Sequence, residues 1–273
     1  MNSATRREKQ QYSNLFCNNN TIGAIYEYKK ECFIIREAIA MLEDVVTEKC
    51  PLDKESKEYV HYEFAEAIVE NAKAAYDNMA IGHIDIVNMI NRKIIEQYIS
   101  LKIFINNPDK QLENYWRAHS FYKGIDSYLE KYDTRLSKMM NDMYERLNIP
   151  EQFYEKTKKA NGSLGKAPIE KNYGWIYPIT KDNPTFKKLC ELAGEPNYED
   201  FSFMSEFVHG TNLLFINRKS LFESTILNTL SILTFVIQQF VILYIGYLDG
   251  EKVLMKFSEF EELCMLYLPE DMD

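Results

Sequence analysis

Turn-forming residues are scarce in this chain: it has 10 glycines and 8 prolines among 273 residues. An all-β domain needs such residues at each reversal, so their scarcity argues against that class and favours long helices with few connections. The cysteines, Cys17, Cys32, Cys50, Cys190 and Cys264, are odd in number and widely spaced. They form no C-x-x-C pair and no zinc-like grouping with histidine, which removes a disulfide framework and a zinc finger from consideration. Free thiols of this kind suit a reducing cytosol. The segment from Met1 to Asn14 is polar and lacks the apolar run of a secretory signal, so a cytoplasmic location is expected. There is no internal repeat of fixed period and no low-complexity stretch.

An excess of positive charge is also missing. The net charge is −9, and an acidic surface repels phosphate backbones and anionic membranes. This argues against broad coating of nucleic acid and leaves room for a local basic patch. Long apolar runs are limited to one. Ser224 to Leu248 gives 25 residues without a formal charge, enough to span a bilayer. Asn228, Thr229, Ser231, Thr234, Gln238 and Gln239 interrupt it, and paired glutamines in hydrocarbon are costly. The expectation is a core helix with apolar partners on all sides and no membrane contact.

What is present is helical periodicity. Hydrophobic residues make up 46% of the chain and aromatic residues 14%, enough for a substantial core without staples. Ile25, Tyr28, Cys32, Ile35, Ile39 and Leu42 alternate spacings of three and four and share a face. This predicts a helix over 21–49, ended by Cys50-Pro51. Asp53 is the expected N-cap of a helix over 54–79. Gly82 breaks the chain, and Asp85 starts a third helix to about Asn106. A fourth runs from Lys110 towards Asn148 with an expected break near Asp133, and Pro150 opens a short one. Further helices are predicted at 185–193 (stopped by Gly194), 198–208, 223–247 and 258–267. The region 161–184, with Gly162, Gly165, Pro168, Gly174, Pro178 and Pro184, is the one long loop. The fold class is all-α, a helical bundle of about eight to ten helices. A single helical domain over 1–273 is expected, with a secondary division into 15–160 and 185–273.

Three constellations carry chemistry. Tyr198, Ser202, Ser205, Glu206 and His209 form the first, with Ser205 and His209 four apart on one helical face. His209 precedes Gly210 near the helix C-terminus, where the helix dipole favours the imidazolium. It could act as a base or bind phosphate, or simply cap carbonyls. Glu206 and His209 also make Glu-x-x-His, the ligand pair of di-metal bundles, repeated at Glu58 and His61, with Glu96 as a further carboxylate. These pairs fall at opposite helix ends, unlike a mid-bundle centre, so no metal and no cofactor are expected. In the second constellation Arg92 and Glu96 form an i,i+4 pair among Val87, Ile90, Ile94, Ile95 and Tyr98, which predicts one charge facing the core. The third is a charge inversion. From Lys156 to Lys188 eight lysines face only Glu170 and Asp182, a net of +6, so the remainder carries −15. Lys166 and Lys171 could contact phosphate, and Tyr173 and Trp175 could stack on bases. The competing reading is a solvated loop whose aromatics tuck against the bundle.

The segments Asn91-Arg-Lys-Ile-Ile-Glu-Gln-Tyr-Ile and Ser205-Glu-Phe-Val-His209-Gly resemble a bacterial helical family catalogued as domain of unknown function 5677, over about Ile86 to Tyr247. The resemblance implies that Arg92, Glu96, Ser205 and His209 are the positions of interest and converge between helices. It brings no settled activity. A looser similarity is to the HEPN ribonucleases of toxins and phage defence, which carry Arg, four to six residues, then His on one helix. Here Arg117 and His119 are too close, and no arginine precedes His209 at that distance. Two readings follow. One is a binding or regulatory module within a phage-defence or toxin-type system, with a protein partner or a second copy of itself. The other is a metal-independent, HEPN-like ribonuclease in which His209 is the acid–base, Arg92 stabilises phosphate charge and the lysine-rich loop guides RNA.

Overall fold

The computed structural model describes residues 28–48, 57–107, 110–132, 134–156, 162–181, 185–195, 218–244 and 250–267. All ordered elements among them are helical: α1 (Lys29–Thr47), α2 (Lys57–Ala80), α3 (Ile84–Asn106), α4 (Lys110–Tyr132), α5 (Thr134–Arg146), α6 (Glu151–Tyr154), α7 (Tyr177–Thr180), α8 (Phe186–Ala193), α9 (Arg218–Tyr244) and α10 (Gly250–Tyr267). Two 3-10 turns, Pro168–Glu170 and Gly174–Ile176, lie between α6 and α7. The protein is all-α, and among the described residues no helix is long and apolar enough to cross a membrane. The predicted caps at Asp53 and the helix over 198–208 lie outside the described residues.

The breakers act by identifiable geometry. Gly82 has φ 79° between α2 and α3, a left-handed conformation that costs glycine little. Asn148 takes φ 52° after α5, and Ile149 N–H donates to Tyr144 O at 2.8 Å. Gly194 ends α8 at φ 72°, with Glu195 N–H donating to Cys190 O at 2.8 Å. Both are left-handed helix ends that satisfy orphan carbonyls. At the other end of α8, Thr185 Oγ1 accepts from Lys188 N–H at 3.2 Å, a side-chain cap.

The chain divides into two compact units, one formed by Met1–Tyr98 with Asn197–Asp273 and the other by Ile99–Pro196. The glycine- and proline-rich stretch therefore lies inside the second unit. In the first unit α1 buries Ile34, Ile35, Ala38, Ile39, Leu42, Val45 and Val46, the face that its periodicity marked. It packs against α2, α9 and α10. The uncharged helix α9 is not enclosed on all sides. Thr225, Ile226, Thr229, Leu230, Leu233, Val236 and Ile237 are buried, while Ser224, Leu227, Ser231 and Gln238 are exposed. Its short polar residues divide between a wet face and a buried seam, a task its composition does not reveal.

In the second unit Phe104 stacks on Trp175 with centroids 5.0 Å apart and planes at 11°, and meets Trp116 edge-on at 6.2 Å. Tyr115, Ala118, Met140, Tyr144, Leu147, Ile149, Phe153, Ala167 and Ile169 form one apolar cluster. The predicted loop is thus a packed strap of short helical turns. Gly174 sits so close to the preceding turn that an added Cβ would lie 2.0 Å from Pro168 O and 3.3 Å from the His119 ring. Gly174→Ala should therefore destabilise the protein by at least about 3 kcal/mol. Urea denaturation followed by tryptophan fluorescence reads this directly, because Trp116 and Trp175 are the only tryptophans in the chain.

Candidate functional site

Helix α3 carries a polar strip through the core of the first unit. Asn88 and Asn91 are 0% exposed, and Arg92 is buried beside them. Asn88 Nδ2 donates to Thr225 Oγ1 at 2.9 Å and to Ile84 O at 3.1 Å. Asn91 Nδ2 donates to Thr229 Oγ1 at 2.8 Å. Thr229 Oγ1 in turn donates to Thr225 O at 2.7 Å, so its hydroxyl serves as donor and acceptor at once. Further along, the Tyr98 and Phe235 rings meet edge to face at 4.7 Å. These pairings advance in the same sense along both helices, so α3 and α9 run in the same direction. Among the described residues, the Oδ1 atoms of Asn88 and Asn91 meet no donor. A buried acceptor left unmatched costs about 1–3 kcal/mol.

Arg92 and Glu96 continue this strip. The guanidinium Nη2 lies 3.3 Å from Glu96 Oε1, and the side chains are 11% and 26% exposed. The charge that faces the core is therefore the arginine, with the carboxylate at its rim. On the next face, Gln97 Oε1 accepts from Asn71 Nδ2 of α2 at 2.8 Å. Ser205 and His209, the other half of the predicted site, lie outside the described residues, as do Ser202 and Glu206. Of the two Glu-x-x-His pairs, only His61 has a described side chain, buried on α2. Among the described residues no group of three or more His, Cys, Asp or Glu side chains is placed to hold a metal ion.

The lysine-rich segment is fastened at its centre. Lys123 Nζ donates to Glu170 O at 2.9 Å, and Lys156 pairs with the Glu170 carboxylate at 3.1 Å. The other Glu170 oxygen accepts from Ala167 N–H at 2.9 Å. His119 Nε2 lies 2.8 Å from Lys171 O. A carbonyl only accepts, so Nε2 carries the proton. Trp175 is 4% exposed, in the stack with Phe104. One ring face is stacked in the core, as the tucked-aromatic alternative expects. Tyr173 is half-buried against Phe186, with centroids 6.3 Å apart. Lys166 is exposed and Lys171 half-buried.

Spacing in the sequence marked Arg92 and Glu96, but not Asn88, Asn91, Thr225 or Thr229. Two asparagines three apart in the apolar run of α3, and two threonines four apart in α9, were the available signal. Their pairing across 137 and 138 residues was not legible. In the sequence His119 stands out only by its closeness to Arg117, whereas in the fold it holds the strap through Lys171 O.

Fold and seam together define an all-α protein with a buried polar strip. The chain belongs to a family of unknown function (DUF5677), whose family model matches residues 50–223. The match includes α2 and ends within the first turns of α9, so it begins earlier and ends earlier than the two motifs implied. Neither a search of curated proteins nor one of solved structures returns a match.

Two measurements check this geometry. Thr229→Val removes the acceptor for Asn91 and should cost about 1–3 kcal/mol, while Asn91→Leu combined with Thr229→Val should recover much of that loss. A double-mutant cycle in urea measures both. Burial pushes the His119 imidazole down from 6.5 to about 4, against the opposing pull of the Lys171 carbonyl and with a smaller push from Lys123. The unfolded chain then takes up the proton first. Stability should be intact above about pH 6.5 and should decline as pH falls through about 4, by up to about 3 kcal/mol. In His119→Gln that part of the pH dependence should vanish.

Proposed function

We propose that the protein is a helical binding or regulatory module whose ligand-reading group is Arg92, oriented by Glu96 and by the asparagine–threonine seam. One observation carries the reading: a guanidinium is buried in the core of the first unit, beside two fully buried carboxamides. A buried ion pair is commonly no more stabilising than well-packed apolar residues of similar size. Its presence therefore favours a task other than stability, and an arginine fork suits carboxylate or phosphate oxygens. The ligand class is anionic, and the family resemblance adds Ser205 and His209 as companions. A phage-defence or toxin-type setting with a protein partner is the context that the resemblance suggests.

The second reading is a metal-independent ribonuclease. It keeps Arg92 as the group that stabilises phosphate charge, gives proton transfer to His209, and lets Lys166 and Lys171 guide RNA. What favours it is the pattern of ion pairs. Lys156 and Lys188 are paired with Glu170 and Glu191, while Lys166 and Lys171 have no carboxylate partner among the described residues. Stacking would then fall to Tyr173 alone, since Trp175 is enclosed.

The decisive variant is Arg92→Met with Glu96→Gln. It should be as stable as the parent or more so, because it removes charges from the core without leaving either one alone. In thermal-shift titrations with inorganic phosphate, mononucleotides and short single-stranded RNA, the parent should be stabilised by at least one probe and the variant by none. An unchanged ligand response in the variant refutes the site. If labelled RNA is cleaved and His209→Ala abolishes cleavage, the second reading replaces the first. Binding without cleavage, weakened by Lys166→Glu and Lys171→Glu, retains the first with RNA as its ligand.

A further inference from the structure

The first unit carries a groove that the polar strip does not use. It lies between α1 and α10 and encloses about 290 Å³. Glu37, Ala40, Met41 and Asp44 line it from α1, and Lys256, Glu259 and Phe260 from α10. The α1 residues follow i, i+3, i+4, i+7, so one helical stripe faces the groove. Met41 and the buried Phe260 give it an apolar base, and Glu37, Asp44 and Glu259 make its lining acidic. A volume of this size is at the lower limit for a small-molecule pocket and suits one or two anchoring side chains of a protein segment.

The charge balance defines the occupant. Lys256 crosses the groove and is already held by Asp44 at 2.9 Å and Glu48 at 3.9 Å. Glu37 is matched by Arg36 at 2.8 Å. Glu259 is exposed and has no cationic partner among the described residues. Met255, 58% exposed, lies one turn earlier on the stripe of Glu259. The surface therefore asks for an apolar anchor flanked by a cation. The second unit of the same chain displays that combination: Leu164 is 62% exposed, and two residues on, Lys166 is exposed with no carboxylate partner among the described residues. They stand in the segment of net charge +6, within a chain whose remainder carries −15.

We propose that this groove is a self-association surface that receives the Leu164–Lys166 projection of a second copy. Leu164 enters over Met41 and Phe260, where the flexible thioether adapts to the incoming side chain. Lys166 reaches Glu259 at the rim. This inference shares Lys166 with the ribonuclease reading but none of the Arg92 strip, and Glu259→Lys and Leu164→Asp test it without touching either site.

Sedimentation velocity over a concentration series tests it. The parent should dimerise, more weakly as salt rises, because the rim contact is ionic. Glu259→Lys and Leu164→Asp both alter exposed side chains, and circular dichroism should show that both variants fold. Each should raise the dimer dissociation constant at least about tenfold. Adding Lys166→Glu to Glu259→Lys restores opposite charges and should recover most of the loss. A parent that stays monomeric at high concentration overturns the proposal. So does a dimer indifferent to both single variants, or a double charge swap that recovers nothing.

Discussion

The structure of the first unit depends on a requirement imposed by two carboxamides. Asn88 and Asn91 have no access to water, so their N–H groups must be matched inside the protein or cost folding energy. Thr225 and Thr229 of α9 supply the match. Apolar packing alone would tolerate α9 sliding or turning against α3, since one methyl group substitutes readily for another. A hydroxyl at 2.8 Å does not. The seam thereby sets the register of two helices far apart in sequence, and it sets the depth at which Arg92 lies.

The arginine is tolerable for the same reason. A lone guanidinium in a core of isoleucine and valine would be prohibitive, but Glu96 one turn later supplies a carboxylate at the edge of the protein. Backbone geometry brings that partner at no tertiary cost, because residues i and i+4 adjoin on any helix. The pair is thus local, whereas its burial is tertiary. This combination is what makes Arg92 a candidate for ligand recognition instead of an ordinary surface charge.

The second unit meets a different constraint. Its lysine-rich strap has little regular structure with which to satisfy its backbone. Lys123 and His119 donate to the backbone carbonyls of Glu170 and Lys171, and Lys156 pairs with the Glu170 carboxylate. Positive charge that looks in the sequence like a phosphate-binding surface is partly consumed in holding the strap. What remains outward includes Lys166, Lys181 and Lys187, with Leu164 beside the first of them.

The all-α class, the stop at Gly194, the break at Gly82 and the inward face of α1 were legible in the amino-acid sequence, because each follows from periodicity or from a residue's own backbone preference. The Arg92–Glu96 pair was legible for the same local reason. Tertiary structure alone decided that Arg92 rather than Glu96 faces the core, that α9 keeps an exposed edge, and that Trp175 stacks on Phe104. It also decided that Asn88 and Asn91 find Thr225 and Thr229. Those outcomes depend on which distant helix arrives opposite a given face, and that is settled by the packing of the whole unit, where spacing along one helix carries no information.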